Sequence, residues 1–315
     1  MRSPRRVRER APMLDAFLNS TIAMATPILL AALGELLVEE TGVINIGIEG
    51  AMLCGAFFAM AGAYFTGSTL IGIAAGIAAG VAINALLALL VVNLSVNQVV
   101  AGTALDILAV GITGVFYRRF FGITGMAFMV KPMARFYFGP LTRIPILGAT
   151  LFHHNAFVYL TFAIIPVIGF IVWRTHYGLT LRAAGERPDA ADALGLGVYR
   201  LRWHALLAAG VLTGLSGAYL TLAYANTFVE NISGGRGYVA LAVVILGRWN
   251  PWGIAAASVL FGAAMALQFG LQALGTTIPY QLFLARPYAL TLVVLAGVGG
   301  QASSPSALGE PYRRP

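Results

Sequence analysis

The sequence predicts an all-α protein, a polytopic transmembrane bundle of about nine segments (8–10) with broken or re-entrant helices. Three observations carry that prediction. Of the 315 residues, 59% are apolar and 10% charged, against roughly 25% charged in an average soluble domain. Apolar runs recur at 14–38, 43–66, 69–93, 97–117, 155–173, 203–225, 237–248, 253–274 and 284–300, and about 20 residues of helix cross a hydrocarbon core about 30 Å thick. The 37 glycines include the tandem set Gly72, Gly76 and Gly80 and the pair Gly210 and Gly214, the spacing that lets helix backbones approach closely in lipid. One membrane domain is expected over 13–303, between an Arg-rich tail at 1–12 and a C-terminal tail at 304–315.

Taken in order, residues 1–12 (MRSPRRVRERAP) precede the first apolar run, and Met13 is a second candidate start. A signal peptide fits poorly, because the run continues past Ala23-Met24-Ala25. The first span carries Glu35 and closes on Glu39 and Glu40, whose place near a turn predicts the interface. The second opens on VINIGIEG (43–50), a Gly-rich composition expected where a helix unwinds, with Asn45 and Glu49 inside it. Asn97 and Gln98 open the fourth span and suit a helix cap, and Asp106 lies within it. A carboxylate inside a bilayer costs about 2.5–3.5 kcal/mol or more, so Glu35, Glu49 and Asp106 are each candidate functional residues.

The stretch 118–154 mixes aromatics, prolines and basic residues and suits a loop at the interface. Residues 174–202 are the most hydrophilic part of the chain interior. There Pro188 suits a first helical turn, Asp189 and Asp192 its N-terminal half, and Gly195 its stop, which predicts a compact helix over 188–195. The run 237–248 is too short to cross alone and reads as half of a broken helix. VENISGGRG (229–237) precedes it and echoes VINIGIEG, which predicts a weak internal inverted repeat with paired breaks along a pathway. Asn231 and Ser233 lie in that echo. Arg236 either bonds carbonyls freed by the break or faces solvent, and Arg248 with Trp249 reads as an interfacial anchor pair.

Several functional classes are excluded. The net charge of +8 is nearly all arginine, with Lys131 the single lysine. It reads as arginine at helix ends, since no soluble face gathers it for nucleic acid. Cys54 is alone, so no intrachain disulfide forms. The sequence holds no G-x-x-x-x-G-K-[ST], H-E-x-x-H, paired-cysteine or G-x-S-x-G motif. His153, His154, His176 and His204 read as interfacial residues. No cofactor, metal site or catalytic residue is expected. An ion-coupled secondary carrier stays open as an alternative, with Glu49 and Asp106 binding the coupling ion.

Three ordered motifs narrow the class. ATPILLAALGELLVEETGVINIGIEGAMLCGAFFAM (25–60) resembles the opening of permease subunits of ATP-binding cassette (ABC) importers in the branched-chain amino acid, ribose and nucleoside group. GLTLRAAGERPDAADALGLGV (178–198) resembles their cytoplasmic coupling loop, and ISGGRGYVALAVVILGRWNPWG (232–253) a third signature. Within the group the nucleoside-type branch is the most similar. The resemblance implies a bacterial plasma-membrane subunit for a nucleoside or related sugar-like solute. Its implied partners are ABC ATPase subunits, a second homologous permease in a heterodimer and an extracytoplasmic substrate-binding lipoprotein. It assigns Gly185, Glu186, Pro188, Ala190, Ala191 and Gly195 to coupling with the ATPase. It suggests Asn45, Glu49, Gln98, Asn231 and Ser233 for the translocation path. Asp106 departs from the family pattern, where an uncharged polar residue is usual. Five spans before a cytoplasmic loop put the N-terminus outside. The positive-inside rule mildly opposes that orientation, and the ordered motifs outweigh it.

Overall fold

The computed structural model describes residues 4–122, 128–134, 136, 154–273 and 304–313. Among them run the helices α1 (Pro4–Glu39), α2 (Ile48–Thr66), α3 (Thr69–Ala88), α4 (Gln98–Phe121), α5 (Ala156–Arg174), α6 (His176–Glu186), α7 (Pro188–Ala193), α8 (Val198–Tyr219), α9 (Arg236–Leu246) and α10 (Pro251–Ala273). Single π-helical turns extend α3 over Leu89–Asn93 and α8 over Leu220–Tyr224. Seven segments among the described residues are long and apolar enough to cross a membrane, with Arg236–Leu246 as a shorter apolar helix. The expected run at 284–300 and most of 118–154 lie outside the described residues.

Helix boundaries follow local chemistry. Asn97 Oδ1 accepts the backbone N–H groups of Val99 and Val100 at the start of α4. Asn155 accepts that of Val158 in α5, and Thr175 Oγ1 that of Gly178 in α6. These are donors a helix N-terminus leaves unsatisfied. Pro188 occupies the first turn of α7, where its missing N–H costs nothing, and Gly195 closes the turn beyond it at φ +83°. The expected helix over 188–195 is therefore present as Pro188–Ala193. A second helix before it, α6, was not expected.

The centre of the bundle is α1, α2 and α8, while α3, α4, α5 and α10 keep apolar faces outward, with Leu70, Ile107, Phe170 and Leu267 all exposed. Closed helices presenting such faces suit lipid, because no backbone polar group is left open to it. The glycine faces meet: a Cβ on Gly80 would fall on the backbone of Gly210 and Gly214, and one on Gly76 would meet Gly55 O at 2.9 Å. Close backbone approach of α3 to α8 and α2 is the packing the spacing predicts.

Helices α1 and α8 run antiparallel along their length. Tyr219 Oη donates to Ala23 O (3.0 Å), Ser216 Oγ to Pro27 O (2.7 Å) and Arg202 Nε to Thr41 O (3.2 Å). Arg202 and Thr41 thus mark the end that carries α6 and α7, called the loop end below. Thr213 lies midway between Arg202 and Tyr224 on α8, about 16 Å from either at 1.5 Å per residue. Asn84 Nδ2 reaches Thr213 Oγ1 (3.4 Å), and Asn45 Nδ2 donates to Asn84 Oδ1 (2.9 Å). Residues 40–47 therefore climb from the loop end to mid-bundle, where α2 begins and continues to the opposite end. Residues 225–235 descend from that opposite end, where Thr227 Oγ1 donates to Phe128 O (3.0 Å). Helix α9 then begins at mid-bundle and runs to the loop end, where Trp249 Nε1 donates to Glu39 Oε2 (2.6 Å).

One expectation about the interface is corrected. Trp249 is buried against Glu39 and is no surface anchor, although Arg248 beside it is exposed. Glu39 and Glu40 lie near the turn as expected, and both are buried there under Trp249 and the end of α6, which come from distant parts of the chain.

Candidate functional site

The two echoing segments meet at mid-bundle. Glu49, in the first turn of α2, accepts the backbone N–H of Gly235 through Oε1 and that of Gly237 through Oε2, both at 2.7 Å. Asp106 of α4 accepts the N–H of Gly50 through Oδ1 and the hydroxyl of Tyr238 through Oδ2, again at 2.7 Å. Two helix N-termini, those of α2 and α9, are thus each held by a carboxylate from another element. A helix N-terminus carries roughly half a positive charge, so each carboxylate is offset where it lies. Charge-assisted bonds of this length are also about twice as strong as neutral ones.

Glycine is required at this junction. Gly235 precedes α9 at φ +82°, a left-handed conformation that L side chains resist. A Cβ at Gly237 would come within 2.7 Å of Glu49 Cα and 2.8 Å of its Oε2. Arg236 settles the choice left by the sequence: its Nη1 donates to Ile232 O and Ser233 O, both 3.0 Å, and so satisfies carbonyls freed by the break.

A cavity of about 360 Å³ opens on this junction, lined by Glu49, Asp106, Ile107, Asn231, Gly235 and Tyr238 among others. Of the residues suggested for a path, Glu49 and Asn231 line it. Ser233 is fully buried beneath the same loop. Asn45 is fully buried, its N–H held by Glu35 Oε1 (2.9 Å) and its amide by Asn84, so it braces the break from behind. Gln98 lies towards the loop end, accepting the N–H of Ile44 (2.7 Å) through Oε1 and donating to Glu310 O (3.4 Å). The sequence ranks Asp106 below Glu49 and gives no sign of Tyr238. Asp106 joins positions 56 and 132 residues away, which no local pattern displays.

At the loop end, α6 and α7 form a small platform. Gly185 packs on the backbone of Glu40 and Gly42, and Ala191 is buried with Ala184, Val198 and Tyr312. Glu186, Ala190, Leu194 and Gly195 are exposed and Pro188 is half-buried, with Leu194 81% exposed. Of the six residues that the sequence resemblance assigns to coupling, Gly185 and Ala191 thus face inward, and the outward apolar edge is Ala190, Ala193 and Leu194. Beneath the platform, burial pushes the Glu40 carboxyl up to about 7, with Arg182 drawing it down and Glu186 raising it. Among the described residues no group of His, Cys, Asp and Glu is placed to hold a metal ion.

Residues 17–298 match the family described as branched-chain amino acid transport system / permease component. The chain is 34% identical to the putative glucose ABC transporter permease protein of Haloferax volcanii, over 94% of this chain and 97% of the relative. It is 33% identical to the guanosine ABC transporter permease protein of Bacillus subtilis, over 95% and 97%. With the nucleoside ABC transporter permease protein of Lactococcus lactis it shares 32%, over 95% and 97%. No solved structure matches the chain.

Proposed function

The chain belongs to the branched-chain amino acid transport system / permease component family, and from that premise we propose that it forms the translocation path for a nucleoside or related sugar-like solute. It is a multi-pass plasma-membrane protein and a permease component of ABC importer type, a transport subunit rather than an enzyme.

The observation that carries the solute class is the mid-bundle junction. Broken helices in transporters can turn bare N-termini towards an anionic group of the solute. Here Glu49 and Asp106 already occupy both N-termini, so the cavity offers an anion little. It offers carboxylate oxygens, the Asn231 amide and the half-exposed Tyr238 ring, groups suited to hydroxyls and a flat ring. Its volume lies within the range of small-molecule sites, about 300–1,000 Å³. The printed names of the relatives, guanosine, nucleoside and glucose permeases, agree with an uncharged, hydroxyl-bearing solute.

Energy enters through α7. Its exposed Ala190, Ala193 and Leu194 dock on a cytoplasmic ATPase, while its buried side rests on α6 and α8. A second, homologous permease and an extracytoplasmic binding lipoprotein complete the importer. An ion-coupled carrier is less well supported, because it leaves α7 unexplained.

Cysteine accessibility tests the placement of α7. In a Cys54→Ala background, a cysteine replacing Leu194 is expected to resist an impermeant maleimide in intact cells and to label after lysis. Labelling in intact cells would put α7 on the wrong side for an ATPase.

A further inference from the structure

The C-terminal segment 304–313 lies across the loop end, and its partners come from five different elements. Ala307 N–H donates to Gly185 O (2.9 Å) at the end of α6. Ser306 Oγ donates to Glu186 Oε2 (2.6 Å) beside α7. Gly309 N–H donates to Gly42 O (3.0 Å) in the turn after α1. Glu310 O accepts from Gln98 Nε2 (3.4 Å) at the start of α4. Tyr312 is buried with Ala191 of α7 and Val198 of α8, and the Arg202 guanidinium stands over its ring at 5.8 Å.

These bonds form a continuous route inward. Gln98, which holds Glu310 with its amide nitrogen, holds the N–H of Ile44 with its oxygen (2.7 Å). Ile44 is followed by Asn45, fixed to Glu35 and Asn84, and the same segment continues into α2 at Glu49. Helix α7 itself is short, with Arg187 in an irregular conformation before it and Gly195 at φ +83° after it. A helix of under two turns on such joints moves with what its buried side packs on, namely Ala184 of α6, Val198 of α8 and Tyr312 of the C-terminal segment. Tyr312 clamps its inner side at Ala191, and Gly309 clamps the turn that leads to the break.

We propose that residues 304–313 are a strap that carries movement of α7 into the 40–47 break, so that ATPase closure displaces the Glu49 junction. This deepens the reading of α7 as the ATPase-docking helix and rests on it. The Glu49 junction lies at mid-bundle, away from α7, and the strap joins the two ends of the route through the packing of Tyr312 with Ala191 and the hydrogen bonds of Gly309 and Glu310. An element that both ends bias is what physical coupling requires.

The test uses the whole reconstituted importer, with its ATPase, partner permease and binding protein. Two variants are compared with wild type: a stop codon at Ser304, and Tyr312→Ala, which keeps the chain length. ATPase retention on purification, ATP hydrolysis and solute uptake are each measured. The strap predicts that Tyr312→Ala retains the ATPase and hydrolyses ATP but loses uptake, raising the ATP consumed per solute. The truncation is expected to do the same or more. Unchanged uptake per ATP in both variants would overturn the proposal. Loss of the ATPase from the Tyr312→Ala complex would also overturn it, since the segment would then serve docking or folding. Leu194→Asp, run in parallel, tests the parent reading separately. If that variant keeps its ATPase, docking through α7 fails whatever the strap variants do.

Discussion

Glu49→Gln is expected to reduce uptake to background while the chain still reaches the membrane. The substitution keeps the size of the side chain but changes what it can accept. Both Glu49 oxygens receive a backbone N–H at 2.7 Å, and a glutamine offers one acceptor and one NH2. One N–H, of Gly235 or Gly237, then faces a donor. Hydrogen bonds to charged acceptors contribute about 1.5–3 kcal/mol, roughly ten- to a hundredfold in the equilibrium that keeps α9 seated on α2. The expected readout is normal protein in membranes with uptake lost, measured in cells whose own uptake of the solute is deleted. Uptake equal to wild type would mean that the charge of Glu49 is dispensable and that the junction tolerates a neutral bridge.

Leu194→Asp is expected to release the ATPase. Leu194 follows the last turn of α7, 81% exposed, with no described side chain covering it. Fully burying a leucine side chain contributes about 1.5–3 kcal/mol, and a carboxylate forced into the same pocket adds its desolvation cost. Purification of the complex should therefore recover the permease without the ATPase, and uptake should vanish. Ala191, which the sequence also marks for coupling, is a poorer probe. It is buried against Tyr312, so a bulky substitution there distorts the platform instead of its outer face.

Much of this architecture is legible in the sequence because bilayer crossing is a local property. Each described apolar run becomes a helix, and the run 237–248, too short for a span, becomes the half-helix α9. Gly72, Gly76, Gly80, Gly210 and Gly214 mark the close contacts because only a missing Cβ permits them. Asn97 caps α4 as its position suggests. Helix α6 is harder to read because it lies in a polar stretch without an apolar period. Its signal is Thr175, a cap residue. What stays hidden depends on partners far along the chain. The burial of Glu39 and Glu40 comes from Trp249 and the end of α6, which no local pattern near residue 40 displays. Asp106 shows no local sign of its partners Gly50 and Tyr238, which lie far along the chain. The segment 304–313 reads as a polar tail because its order comes from residues 42, 98, 185 and 186.

The central claim is that an external ATPase drives an uncharged solute through this chain. Its most direct test is uptake of radiolabelled guanosine by proteoliposomes containing the chain, its partner permease and ATPase, with the binding protein outside. Uptake that requires ATP inside and persists after ionophores collapse every ion gradient is the result expected. Uptake that continues without ATP and stops with the ionophores would contradict the account and identify an ion-coupled carrier instead.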